Sequence, residues 1–262
     1  MVWGFLAAGA VLLAAFVLWQ SRAPHPLLPL TVLADRNRGA AFTTVFIASA
    51  GMFGVFLFLT YYLQQTLGYS PVQNGLAFLP MVGVLMATAQ LSTIVLVPRI
   101  GSKTIVPVGL LLAATGMAWL TRLGLHSTYA AHVLPPLLVL GLGLGLSLPA
   151  AMSQSTLGVR MSDQGVASAT MNTTQQIGGA ISTALLNSLA NAAAAAYVAT
   201  HLTDPLLQAN AAMRSYDTAF WWSAGFFAVG AVVAALLFHR KGAQLVVSAP
   251  TTAPTTRVAP AT

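Results

Sequence analysis

Polar and apolar positions divide the chain into long stretches without charge. No Asp, Glu, Lys or Arg occurs in residues 1–21, 39–98, 104–121, 123–159, 164–203 or 218–239. A helix rises ~1.5 Å per residue, so about 20 apolar residues cross a ~30 Å hydrocarbon core. The run 39–98 is long enough for two crossings. At its middle lies Gly68-Tyr69-Ser70-Pro71, a turn signal. The pattern predicts seven spans, at 3–20, 41–67, 73–97, 104–121, 132–155, 165–190 and 217–238. No turn residue divides the Ala- and Asn-rich stretch 187–200 from the span before it, so one long helix projecting past the bilayer is expected there. The span 41–67 is itself about 40 Å long and must tilt or protrude.

Two helix starts resemble each other. Ser70-Pro71-Val72-Gln73-Asn74-Gly75-Leu76-Ala77 opens the third span, and Ser162-Asp163-Gln164-Gly165-Val166-Ala167 opens the sixth. Ser70 is expected to cap its helix, with Pro71 in the first turn and Gln73 completing a capping box. Asp163 suits a helix N-terminus through the dipole. The two starts lie three spans apart and on opposite sides of the membrane. An inverted three-plus-three repeat predicts this arrangement; two ordinary helix caps also account for it.

Composition strengthens the membrane reading. The chain is 57% apolar and 6% charged, with a mean hydropathy of +0.79. That excludes a soluble domain, a disordered chain and a nucleic-acid binder. The net charge of +7 is carried by connectors. Arg22, Arg36, Arg38, Arg99, Lys103, Arg160, Arg240, Lys241 and Arg257 fall on one side, Arg122 and Arg214 on the other. The bias places the C-terminus in the cytoplasm and residue 1 outside. Trp3, Trp19, Trp119, Trp221 and Trp222 sit at span ends, where an aromatic belt belongs. Residues 1–20 lack a basic start and a cleavage site and are read as a span. The stretch 241–262 has no pattern to bury and is expected to be a disordered cytoplasmic tail.

The chemistry available is narrow. Asp35, Asp163, Asp204 and Asp217 are the only acidic residues, and there is no Glu or Cys. Zinc-protease motifs, paired-carboxylate glycosidases, disulfides and thiol nucleophiles are therefore excluded. His25, His126, His132, His201 and His239 lie in loops or at span ends without ligand spacing, so no metal and no cofactor is expected. The sixth span carries Ser168, Asn172, Gln175, Gln176, Gly179, Thr183 and Asn187 at helical spacing. Such a face needs protein or water beside it. It reads as a cavity wall, a moving contact, or a set of interhelical hydrogen bonds. In the fifth span, Gly141 and Gly145 form a small-residue face for close packing, and Pro149 predicts a kink with carbonyls left free near Ser153 and Gln154.

Several strings carry a family resemblance. They are His25-Pro26-Leu27-Leu28-Pro29-Leu30 with Arg36-Asn37-Arg38, and Tyr61-Tyr62-Leu63-Gln64-Gln65-Thr66-Leu67-Gly68-Tyr69-Ser70-Pro71 followed by Gly75-Leu76-Ala77-Phe78-Leu79-Pro80. They continue with Gly165-Val166-Ala167-Ser168-Ala169 and Asn172-Thr173-Thr174-Gln175-Gln176-Ile177-Gly178-Gly179-Ala180. In this order they resemble the C-terminal half of the fourteen-helix drug:proton antiporters of the major facilitator superfamily. The resemblance covers about residues 3–240. It implies an all-α membrane protein with seven transmembrane helices, six of them forming a major-facilitator C-terminal bundle of two inverted three-helix repeats. Residues 1–40 would be an extra transmembrane helix and its cytoplasmic connector, and 41–240 the six-helix domain. The family's six-helix N-terminal domain has no counterpart in the chain.

The resemblance also implies that the spans at 41–67 and 132–155 line the central cavity. Met52, Phe53 and Phe56 are then cavity candidates suited to bulky apolar or cationic compounds, together with Ser153, Gln154, Asn172, Gln175 and Gln176. Arg99, Gly101 and Lys103 resemble a degenerate gating-loop motif. Pro98 stands where the fuller motif has Asp, which leaves that role unassigned. The implied function is export of small amphipathic compounds across the cytoplasmic (inner) membrane by alternating access in exchange for protons. The implied partners are the lipid bilayer, a small-molecule substrate, protons, and the missing N-terminal half in cis or a second chain. No carboxylate is expected within a span, so any coupling carboxylate would come from that half. The rival readings are a non-catalytic membrane subunit, a truncated and inactive transporter remnant, a seven-helix receptor and an intramembrane protease. For the last two, Lys103 and Lys241 lie at span edges, and no His lies at depth to activate Ser147.

Overall fold

The computed structural model describes residues 36–156, 159 and 164–238, together with Gly9, Val11, Leu12, Ala15, Leu18 and Trp19. Those six residues of the first expected span are helical. The connector before residue 36, the helix start at Asp163, and Arg160, Arg240, Lys241 and Arg257 lie outside the described residues.

Helix α1 runs Arg36–Tyr61 and continues through a π-helical turn, Tyr62–Thr66. Helix α2 runs Pro71–Leu91. A second π-helical turn, Ser92–Leu96, joins it to the short α3, Val97–Ile100. Helix α4 is Ser102–Leu120, and a third π-helical turn, Tyr129–Val133, leads into α5, Leu134–Thr156. Helices α6, Gln164–Thr200, and α7, Leu207–Leu237, complete the described structure. Six stretches are long and apolar enough to cross a membrane, and no strand occurs among the described residues.

The local chemistry explains several boundaries. Ser70 takes an extended conformation, its Oγ accepts from the Gln73 N–H at 3.3 Å, and Gln73 Oε1 accepts from the Ser70 N–H at 2.9 Å. The expected capping box is therefore formed. Gly101 has φ +84, a left-handed conformation in which a side chain would clash, and this lets α3 turn sharply into α4. Helix α6 is continuous for 37 residues, about 55 Å, and overhangs the hydrocarbon core. Helix α7 begins ten residues before the expected start at 217. Asp217 therefore lies in its third turn.

The packing is pseudo-symmetric. Helix α1 packs on α6 and α7, while α5 packs on α2 and α4. The first helix of each triplet thus touches the second and third helices of the other. The third helices, α4 and α7, pack on each other, as do α1 and α5. Helices α6 and α7 also pack on each other, which α2 and α4 do not match; apart from that, the contacts follow the pattern of two inverted three-helix repeats. The core lies between the first and third helices, with Val45, Leu59, Leu110, Met117, Leu137, Leu140, Leu144, Phe220 and Phe227 buried.

Helix α5 is held from two sides by its alternate glycines. A Cβ on Gly141 would stand 2.5 Å from the Met81 carbonyl of α2, and one on Gly145 would stand 2.5 Å from the Leu85 carbonyl. Gly143 faces the other way, against Gly109 and Ala113 of α4. Pro149 sits inside α5. Its missing N–H leaves the carbonyl of Gly145, four residues earlier, without its helical donor. The gap therefore falls on the N-terminal side of the proline and not near Ser153 and Gln154. Beside it, the buried Ser92 Oγ donates to the Leu146 carbonyl at 2.9 Å, tying the π-helical turn after α2 to α5.

Candidate substrate cavity

The two second helices, α2 and α6, are unlike the rest. Only 11% and 17% of the residues in their most apolar stretches are buried, against 61% for α1 and 56% for α5. Both therefore present an open face. On α6 the exposed positions include Ser168, Asn172, Thr173, Gln176 and Ser188, with Gln175, Thr183 and Asn187 half-buried. On α2 the open face carries Gln90 among Leu79, Met86 and Leu91, and continues to Ile94 in the π-helical turn after it. The Thr173 and Thr183 hydroxyls donate to carbonyls of their own helix, but hydrocarbon cannot satisfy the amides.

The other face of α6 is pressed against α1. A Cβ on Gly178 would stand 2.5 Å from the Phe46 carbonyl, and Gly179 is covered by the ring of Phe53. Ser182 Oγ donates to the Ala50 carbonyl at 2.5 Å, and both groups are buried in the seam. These contacts bring Phe53, which is 43% exposed, beside the Gln175–Gln176–Gly179 turn of the polar stripe. Phe53 lies over Gly179, and Gln176, Gln175 and Asn172 follow on the same helix toward its start, so these four residues make up the candidate patch.

The other candidates lie apart from it. Phe56 turns toward α2, where its ring meets Phe78 at 5.1 Å between centroids. Met52 is half-buried and packs on the core. Ser153 is exposed, and its Oγ donates to the Ala150 carbonyl at 2.9 Å. Gln154 Nε2 donates to Ser102 Oγ at 3.0 Å. That bond anchors the turn holding Gly101 to the end of α5, while Arg99 and Lys103 on either side are exposed.

Sequence reasoning missed the tyrosines that close the end of the bundle near the α1–α2 turn. Tyr62 hydroxyl donates to the Gly124 carbonyl at 3.0 Å, Tyr129 hydroxyl to Ala77 at 2.7 Å, and Tyr216 hydroxyl to Gln65 Oε1 at 3.1 Å. It also missed a hub in the α6–α7 turn. There Asp204 accepts from Tyr197 hydroxyl, Asn210 Nδ2 and the Leu206 N–H, each at 2.8 Å. The Asn210 amide foremost, then the Leu206 N–H and the Tyr197 hydroxyl, hold the Asp204 carboxyl below the usual range. The clue was Asp204-Pro205 shortly before a helix, a turn signal whose carboxylate can accept from the N–H two residues on. Among the described residues no three His or Asp side chains come together as a metal site.

Comparison with known proteins agrees with this architecture. Residues 1–183 match the Major Facilitator Superfamily profile. A puromycin resistance protein of Streptomyces alboniger is 41% identical over 238 residues, covering 90% of this chain and 47% of that protein. A cephamycin export protein of Amycolatopsis lactamdurans is 33% identical over 182 residues, 69% of this chain and 37% of the relative. The multidrug efflux pump LfrA of Mycolicibacterium smegmatis is 29% identical over 183 residues, 70% of this chain and 36% of the pump. The chain spans half the length of these relatives or less.

Proposed function

Because this chain belongs to the Major Facilitator Superfamily, we propose that it supplies the C-terminal half of an exporter of small amphipathic compounds. As a multi-pass membrane protein of a transport family, it is not an enzyme. The half would work by alternating access, rocking against an N-terminal six-helix half in exchange for protons. The cytoplasmic membrane, with the C-terminus inside, is the setting that the Lys and Arg bias favours.

The observation that carries this reading is the open face shared by α2 and α6. Membrane-spanning helices with exposed Gln90, Asn172 and Gln176 require a protein partner or a water-filled cavity. A second six-helix half seated on both helices supplies the partner. The Phe53, Asn172, Gln175 and Gln176 patch then faces the space between the halves, where an aromatic cationic compound would find a ring and amides. The turn at Arg99, Gly101 and Lys103 would act as a gate because Gln154 links it to the helix it would have to move with.

The test is accumulation of puromycin in an efflux-deficient bacterial host. One culture expresses the 262-residue chain and another the same chain fused to a major-facilitator N-terminal half. The fused protein is expected to lower accumulation, and a protonophore to abolish the effect, while the short chain is inert. Full export by the short chain, or none by the fusion once its membrane insertion is verified, would overturn the reading.

A further inference from the structure

Two adjoining cavities lie where the ends of α4, α6 and α7 meet, of ≈ 320 Å³ and ≈ 360 Å³. They share Tyr197, Arg214 and Asp217, and no residue of the proposed substrate patch lines either one. Their depth follows from α4. Its 19 residues rise about 28 Å, roughly one hydrocarbon thickness, so its end at Leu120 marks the membrane edge. Thr121 borders the first cavity, which therefore opens at that edge and is reachable from water.

The three shared side chains are unequally satisfied. Asp217 is half-buried and takes no hydrogen bond from any described residue. Arg214, one turn earlier on the same helix, is close enough for its charge to act on Asp217 but makes no ion pair with it. Its guanidinium carbon instead lies 5.9 Å from the centroid of the Tyr197 ring. The hydroxyl of Tyr197 is fixed by Asp204, and its other face is covered by His201, stacked at 4.1 Å. The ring is thus held rigidly with one face offered to a cation, beside a carboxylate without a partner. Arg214 takes that place from the rim, on an exposed stem.

We propose that this is a peripheral binding site for a small organic cation, a quaternary or protonated amine. The cation displaces Arg214 from the Tyr197 ring and pairs with Asp217. An aromatic face beside a half-buried carboxylate is an arrangement that suits alkylammonium groups, and each cavity is large enough for one. Arg214 acts as a tethered competitor, which fixes the sign of its effect. Removing a positive charge from an anion site weakens binding, whereas removing it here strengthens binding.

The probe is tetramethylammonium, added to the full chain in lipid nanodiscs and followed by saturation-transfer NMR against 2,2-dimethylpropan-1-ol, a neutral near-isostere soluble enough to compare. Binding of the cation alone is expected. Asp217→Asn should weaken it about tenfold and Tyr197→Leu several-fold, the range a desolvated cation–π contact spans. Arg214→Gln should tighten it several-fold. Unchanged or weaker binding in Arg214→Gln overturns the proposal, as does equal binding of the neutral isostere. Should Asp217→Asn fail to fold, Arg214→Gln at its exposed position still decides. The result is independent of puromycin export, so failure of either reading leaves the other standing.

Discussion

The close approach of α2 and α5 gives a prediction whose sign and size follow from two glycines. A Cβ at Gly145 would stand 2.5 Å from the Leu85 backbone carbonyl and closer still to Thr88 Oγ1. A normal carbon–oxygen contact is near ~3.3 Å, and a backbone carbonyl inside a helix cannot rotate away, so α2 and α5 would have to separate. Overpacking of this kind costs about 1–3 kcal/mol. Gly225 on α7 is the control, since a Cβ there meets nothing within 4 Å. Gly→Ala carries the same intrinsic helix gain, up to about 1 kcal/mol, at both positions. The difference between the two variants therefore isolates the clash. Reversible unfolding in mixed detergent micelles, followed by tryptophan fluorescence, should find Gly225→Ala equal to or above the parent. Gly145→Ala should fall about 1–3 kcal/mol below Gly225→Ala. Equal stability of the two variants would show that the helices do not pack backbone to backbone there, and the α2–α5 seam would have to be redrawn.

The remaining expectations concern other seams. Ser182→Ala removes the buried hydrogen bond to the Ala50 carbonyl, and the same unfolding assay should register a loss of about 0.6 kcal/mol. Phe56→Ala should destabilise the chain by losing the Phe78 contact, worth about 0.5–1.5 kcal/mol beyond area. Phe53→Ala, whose ring is 43% exposed over Gly179, should cost less stability than Phe56→Ala and weaken puromycin binding in the two-half protein; the reverse ranking would exchange their roles. Asp204 is held below its ordinary range by its three donors, so its contribution is full above the unfolded aspartate value of about 3.9 and disappears as pH falls through the lowered native value. The hydrogen-exchange protection of the Leu206 N–H, taken relative to its intrinsic rate at each pH, should therefore stay high between about pH 5 and 8 and fall only in acid, while in Asp204→Asn it should be lower and lose this pH dependence. Protection that rises toward acid would contradict the sign.

Much of the architecture was legible because a bilayer allows few solutions. Backbone groups in hydrocarbon must be satisfied internally, so charge-free runs of sufficient length had to be helices. Ser70 and Gln73 could be read as a cap because capping is local, requiring two side chains three residues apart. Gly141 and Gly145 could be read as a packing face for the same reason, although which helix they meet could not. That partner is set by the pseudo-two-fold relation between triplets, which only weak sequence similarity reports.

The errors arise where one signal stands for two physical boundaries. Charge was used to place the start of the last span at 217, yet α7 begins at Leu207. Arg214 and Asp217 mark the edge of the hydrocarbon, not the end of the helix. Residues 207–216 can be helical despite Arg214 because they pack beside the overhanging end of α6. The same overhang brings Tyr197 level with Asn210 and Arg214, and so builds the Asp204 hub and the two cavities. Periodicity on α6 likewise found Asn172, Gln175 and Gln176 on one stripe, because 3.6-residue spacing is a property of one helix. It could not separate Phe53 from Phe56, three residues apart on α1. One ring lies over Gly179 of α6 and the other over Phe78 of α2. That division depends on the absence of a Cβ on a helix more than 120 positions away in sequence, and no local pattern on α1 encodes it.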